Sequence, residues 1–176
     1  LVAGALAFPA TAYAQPEIVS DSGDTAWILT ASALVLMMTI PGLGLFYGGL
    51  VRAKNVLSVI MHSFVILCTV SLLWAVFGYS LVFGEGTPWL GGFGNAMLAN
   101  LADLRAGTTL PESTFALFQM TFAIITGALI TGAVADRMKF SALLVFIGLW
   151  TLLVYSPIAH WVWHPNGWIF ELGALD

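Results

Sequence analysis

Four stretches of the chain, residues 25–51, 55–84, 113–135 and 140–170, contain no Asp, Glu, Lys or Arg. Each is longer than the roughly 20 residues an α-helix needs to cross about 30 Å of hydrocarbon. Composition agrees, with 60% of the 176 residues apolar, 8% charged and a mean hydropathy of +0.96. A soluble domain carries roughly 25% charged residues, far more than the five basic and nine acidic side chains present. A formal charge of −4 also leaves no basic surface for nucleic acid. The runs do not alternate as β-barrel strands would, as residues 142–147 (ALLVFI) show. The chain reads as an all-α, polytopic membrane helix bundle in contact with lipid, with four transmembrane helices over about 27–49, 56–83, 115–134 and 141–163.

The charges between the runs orient the helices. Arg52 and Lys54 follow the first run and Arg137 and Lys139 the third, whereas the longer segment after the second has only Arg105. By the positive-inside rule the first and third loops are cytoplasmic and the N-terminus is outside. The chain begins at Leu1, not Met, and so reads as starting inside an open reading frame. Residues 1–10 are apolar, and Ala12-Tyr13-Ala14 has the small-x-small form of a signal-peptidase site before Gln15. Residues 1–14 therefore look like the remnant of a secretory signal peptide, with the membrane domain spanning 15–176. An apolar N-terminus without that role stays open as the other reading. The outer loop, residues 84–112, is rich in Gly and Pro and includes Trp89, Leu90 and Phe93, a composition for an ordered cap.

Several residues have structural readings. Gly44 and Gly48 form a GxxxG pair that admits a neighbouring helix, and Ala128 with Gly132 repeats the spacing. Pro41 kinks the first helix. Cys68 reads as a small buried hydrophobe, and His62 as a hydrogen-bonded neutral imidazole. His160 and His164 stand four apart, but two ligands without a carboxylate make a weak metal site, and an interfacial placement is favoured. No pair of carboxylates within a run and no hydrolase or metalloprotease spacing points to an enzyme. Phe115, Phe118 and Phe122 share one face of the third helix, with Phe122 about 6 Å deeper than Phe118 at 1.5 Å per residue. Trp163 arrives at the same outer level. Such rings can hold a small cation, and on spacing alone they equally fit a lipid-facing or core role.

Residues 39–58 (TIPGLGLFYGGLVRAKNVLS) resemble the first-helix signature of the ammonium transporter (Amt) family. Residues 78–84 (GYSLVFG), 118–123 (FQMTFA), 132–137 (GAVADR), 140–142 (FSA), 157–163 (PIAHWVW) and 173–176 (GALD) continue the resemblance in order. It implies an eleven-helix ammonium transporter fold with two pseudo-symmetric halves, of which this chain resembles helices 1–4, assembled as a homotrimer with one pore per subunit. The substrate implied is ammonium, passed as ammonia, with no cofactor and no metal. The resemblance places Phe118 and Trp163 at an outer recruitment site, Phe122 as the outer of two stacked pore gates, and Asp176 as the acidic residue supporting the cation. Asp176 also fits a helix N-cap. Two pore histidines of the family lie on later helices, so neither His160 nor His164 takes that role. Trp163 favours the Amt branch over the related Rh proteins. The implied location is a bacterial inner membrane, with a regulatory protein as a candidate partner on the cytoplasmic face. Two alternatives are an ammonium sensor or interaction protein built on the same membrane domain, and a four-helix structural membrane protein.

Overall fold

The computed structural model describes residues 19–176, so the signal-peptide segment 1–14 lies outside the described residues. Four long apolar helices make up the body: α1 (Ser22–Leu50), α2 (Ala53–Phe83), α3 (Glu112–Val134) and α4 (140–163), with a short α5 (Trp168–Glu171) after them. Each of the four is long and apolar enough to cross a membrane. Helix α1 starts at Ser22 because Asp21 caps it, the carboxylate accepting from the Asp24 N–H at 2.9 Å.

Three of the helices contain a π-helical turn. In α1 it spans Met38–Leu43 and contains Pro41, which supplies no N–H to the helical ladder. In α2 it spans Trp74–Gly78, and in α4 Thr151–Tyr155, where the Ser156 hydroxyl donates to the Thr151 carbonyl at 2.9 Å. Such a turn rotates the C-terminal part of its helix relative to the N-terminal part.

Helix α2 packs against α1, α3 and α4, and α1 also packs against α3. The buried face of α2 carries Val59, Ile66, Val70 and Trp74, the last three of which share a core cluster with Ile124 and Ala128 of α3 and Leu143 and Ile147 of α4. Gly44 and Gly48 are buried where α1 approaches α2, facing Ile60 and Val56. The Trp74 indole N–H donates to the Ala116 carbonyl at 3.1 Å, pinning α2 to α3.

The packing overturns two expectations. Cys68 is exposed on the surface of α2, because the outward face of a membrane helix is as apolar as the inward one. The buried Nδ1 of His62 has no hydrogen-bond partner among the described residues; the ring stacks on Phe140, with centroids 5.7 Å apart. His160 is fully buried within the protein, against the hairpin of the outer loop.

The segment between α2 and α3 is ordered over the ends of the helices. It holds a hairpin of β1 (Gly86–Thr87) and β2 (Leu90–Gly91), a short 3-10 turn at Ala96–Leu98 and a bridge from Leu104 to Pro111. Gly91 lies so close to α2 that a Cβ there would sit 2.5 Å from the Ser80 carbonyl oxygen and 2.7 Å from that of Leu81. This is the aromatic end of the bundle. At the opposite, basic end, the α1–α2 and α3–α4 connections carry four of the five basic residues.

Candidate functional site

At the aromatic end, the last turn of α4 presents Trp163. The chain then turns through residues 164–167, forms α5 and reverses at Gly173, whose φ of +77° lies in the left-handed region that glycine adopts without penalty. That reversal returns Asp176 to Trp163, and the indole N–H donates to its carboxylate. A cleft of about 320 Å³ opens beside this pair, lined also by Arg105, Phe83, Phe115 and Gln119. A smaller cleft of about 130 Å³ lies between Trp163, Asp176 and Tyr155. The carboxylate accepts one indole hydrogen bond and retains capacity for a second donor.

On α3, the rings of Phe118 and Phe122 meet edge to face with centroids 5.0 Å apart. Phe115 is occupied differently: it meets Phe83 edge to face at 5.0 Å, and the Arg105 guanidinium lies 3.5 Å from its ring centre. The phenylalanine face expected from spacing is therefore divided. Trp163 is joined to Asp176, and Phe118 to Phe122, but neither Phe118 nor Phe122 lines the cleft beside the tryptophan. The α3 side of that cleft is supplied by Phe115 and Gln119.

Sequence reasoning missed three residues here. Gln119, in a wall of the larger cleft, has a buried Oε1 with no partner among the described residues. Tyr155, which lines the smaller cleft, is 7% exposed; its buried hydroxyl has no partner among the described residues, and its ring packs against Trp163 at 6.5 Å. Arg105 comes from the loop. The available signals were a lone amide inside an apolar run, a hydroxyl eight residues before Trp163, and an isolated arginine.

His160 of α4 and His164 just after it do not form an open ligand set. Both ring nitrogens of His160 face backbone carbonyls, those of Val82 at 2.7 Å and Thr87 at 2.8 Å. A neutral imidazole donates to one of them and the imidazolium to both. The His164 ring stacks on it at 4.6 Å, with Nδ1 accepting from the Asn166 N–H at 3.1 Å. Their chemistry is to tie α2, the hairpin and α4 together. Around them, Trp89, Trp161 and Trp168 form a cluster with centroids 5.6–6.1 Å apart, and the Trp161 indole donates to the Trp89 carbonyl at 2.7 Å.

At the basic end, Asp136 accepts from the Asn55 amide and pairs with Arg52 at 3.4 Å, joining the two loops. Tyr47 donates to the Leu129 carbonyl at 3.1 Å, and its ring covers Gly132 so closely that a Cβ there would lie 2.4 Å from it.

Comparison with known proteins places this architecture. The sequence pattern of the Ammonium Transporter Family matches residues 26–176. An ammonium transporter of Bacillus subtilis is 51% identical over 156 residues, covering 88% of this chain and 38% of that protein. The crystal structure of Candida albicans Mep2 superposes with a TM-score of 0.80 at 41% identity, over 89% of this chain and 35% of that one. A solved sensor Amt protein gives a TM-score of 0.77 at 26% identity, over 85% of this chain and 37% of that one. The chain thus spans less than half the length of the proteins it matches. It is a polytopic, α-helical membrane protein, and it belongs to the ammonium transporter family.

Proposed function

We propose that this chain forms the outer recruitment cleft and part of the pore wall of an ammonium transporter. The observation that carries the reading is the Trp163–Asp176 pair at a cleft whose wall includes Gln119, with a buried amide oxygen that has no partner among the described residues. An indole face and a carboxylate favour a cation. An unpartnered amide oxygen adds an acceptor for a cation that donates N–H bonds. Beyond the cleft, the Phe118–Phe122 pair acts as the gate. Carrying intact ammonium across the bilayer centre costs several kcal/mol, so an apolar passage favours ammonia, and the proton takes a separate route.

In this reading the basic end faces the cytoplasm of a bacterial cell, because short loops rich in Lys and Arg stay inside. The N-terminal end lies outside the inner membrane, with residues 1–14 as the signal-peptide remnant. The complete protein assembles as a homotrimer, and its cytoplasmic face meets a regulatory protein. The likeness to the sensor Amt protein favours a second reading, in which the same cleft detects ammonium for signalling.

Uptake separates the two. Proteoliposomes containing the complete protein should accumulate radiolabelled methylammonium at least tenfold faster than empty vesicles. Saturable binding without accumulation would replace the transporter reading with the sensor.

A further inference from the structure

Arg105 is the one basic residue of the five that lies at the aromatic end. Its guanidinium carbon stands 3.5 Å from the ring centre of Phe115 and 5.1 Å from that of Phe83. A planar guanidinium on two ring faces is a cation–π arrangement that strengthens as water is withdrawn. The Arg105 side chain is only 22% exposed. Its Nη1 also donates to Glu112 Oε1 at 3.1 Å, and the Tyr79 hydroxyl donates to the same oxygen. A carboxylate and two aromatic rings therefore hold the arginine in one position.

The direction of this ion pair matters. Arg105 lines the cleft beside Trp163 and Asp176, and Glu112 does not. Glu112 instead opens with Arg105 onto a separate cleft of about 210 Å³, toward Glu85 and His164. Arg105 thus borders both clefts, whereas Glu112 borders only the second, so the Trp163 cleft meets the positive member of the pair alone. A cation entering that cleft meets two consequences. The faces of Phe83 and Phe115 are already taken by a tethered cation, and the charge of Arg105 repels the guest from that wall. What remains attractive is the opposite side: the indole of Trp163, the free oxygen of Gln119 and the carboxylate of Asp176.

We propose that Arg105 is a positioning and selectivity residue of this cleft, a tethered cation that fills the Phe83–Phe115 aromatic site and confines a guest cation to Trp163, Gln119 and Asp176. This rests on the reading of the cleft as a cation-recruitment site. It adds that larger planar cations are excluded from the Phe83 and Phe115 ring faces because the protein's own guanidinium occupies them.

The test uses the complete protein in proteoliposomes, with methylammonium as substrate and guanidinium chloride as the probe, balanced by potassium chloride for ionic strength. Arg105→Ala vacates a space of guanidinium shape. Guanidinium should then compete with methylammonium at a concentration at least tenfold lower than in the wild type, with KM altered more than kcat. Arg105→Lys keeps a cation on that wall and should remain within about threefold of the wild type. If Arg105→Ala fails to fold because Glu112 is left half-buried without its partner, the double variant Arg105→Ala/Glu112→Gln removes that charge and has the same expected outcome. A folded variant of either kind that transports methylammonium, yet responds to guanidinium within twofold of the wild type, overturns the proposal. Should the wild type take up no methylammonium, the transporter reading fails separately. Calorimetric titration of guanidinium then decides: binding gained on Arg105→Ala supports the tethered cation, and equal binding by both proteins overturns it.

Discussion

The two ends of the bundle are held by different kinds of contact. At the aromatic end, backbone meets backbone: β2 lies on the last turn of α2 at Gly91, and His160 bridges the carbonyls of Val82 and Thr87. The half-buried Arg105–Glu112 pair adds a charged tie under the loop. At the basic end, side chains span the gap, with Tyr47 lying over Gly132 and Arg52 and Asn55 reaching Asp136. Arg52 is 66% exposed, so its pair is surrounded by solvent and screened by salt. The locked end is the one that carries the cleft. A recruitment site needs ring faces and acceptors fixed relative to one another, and main-chain contacts supply that rigidity better than exposed side chains do.

Substitutions at each end put this contrast at risk. The largest effect is expected from Gly91→Ala, whose new methyl meets carbonyl oxygens of α2 that cannot move aside. A loss of about 3 kcal/mol is expected, at the upper end for overpacking, read as a fall in the denaturant midpoint of the purified complete protein. A midpoint close to the wild type would mean that the hairpin is not locked. Next comes Glu112→Ala, which strands the Arg105 charge and removes the Tyr79 acceptor. It should cost about 2 kcal/mol, less than for a fully buried pair. The smallest is Arg52→Gln, where an exposed pair contributes about 0–1 kcal/mol, and 1 M salt should erase the difference. Were Arg52→Gln to cost as much as Glu112→Ala, the distinction between the ends would collapse.

Much of the framework was legible in the sequence because charge is costly in hydrocarbon: the uncharged runs mark the helices, and the four clustered basic residues mark one end. Burial was less legible. Cys68 and the exposed Leu45, Phe46 and Leu72 are as apolar as Val70 and Ile124 in the core, and a membrane helix needs no polar outer face. Pro41 marked a kink where α1 has its π-helical turn, while the signals beside the other two, Gly78 at the end of Trp74–Gly78 and Pro157 just after Thr151–Tyr155, were not read from the sequence. Within the candidate site, Trp163 and Asp176 came from family resemblance. Spacing alone did not pair them, since their meeting depends on the reversal at Gly173. Phe115 was grouped with Phe118 and Phe122 by helical period, and its separation comes from Arg105, a loop residue that periodicity does not see.

The central claim is that Trp163 and Asp176 form the cation-recruiting wall of the cleft. Its most direct test is Trp163→Leu in the complete protein, with methylammonium uptake measured across substrate concentration. Loss of the indole face and of its hydrogen bond to Asp176 should raise KM at least tenfold, about 1.4 kcal/mol of lost attraction, and depress uptake most at low substrate. Unchanged KM and unchanged selectivity against potassium in a correctly folded variant would contradict it.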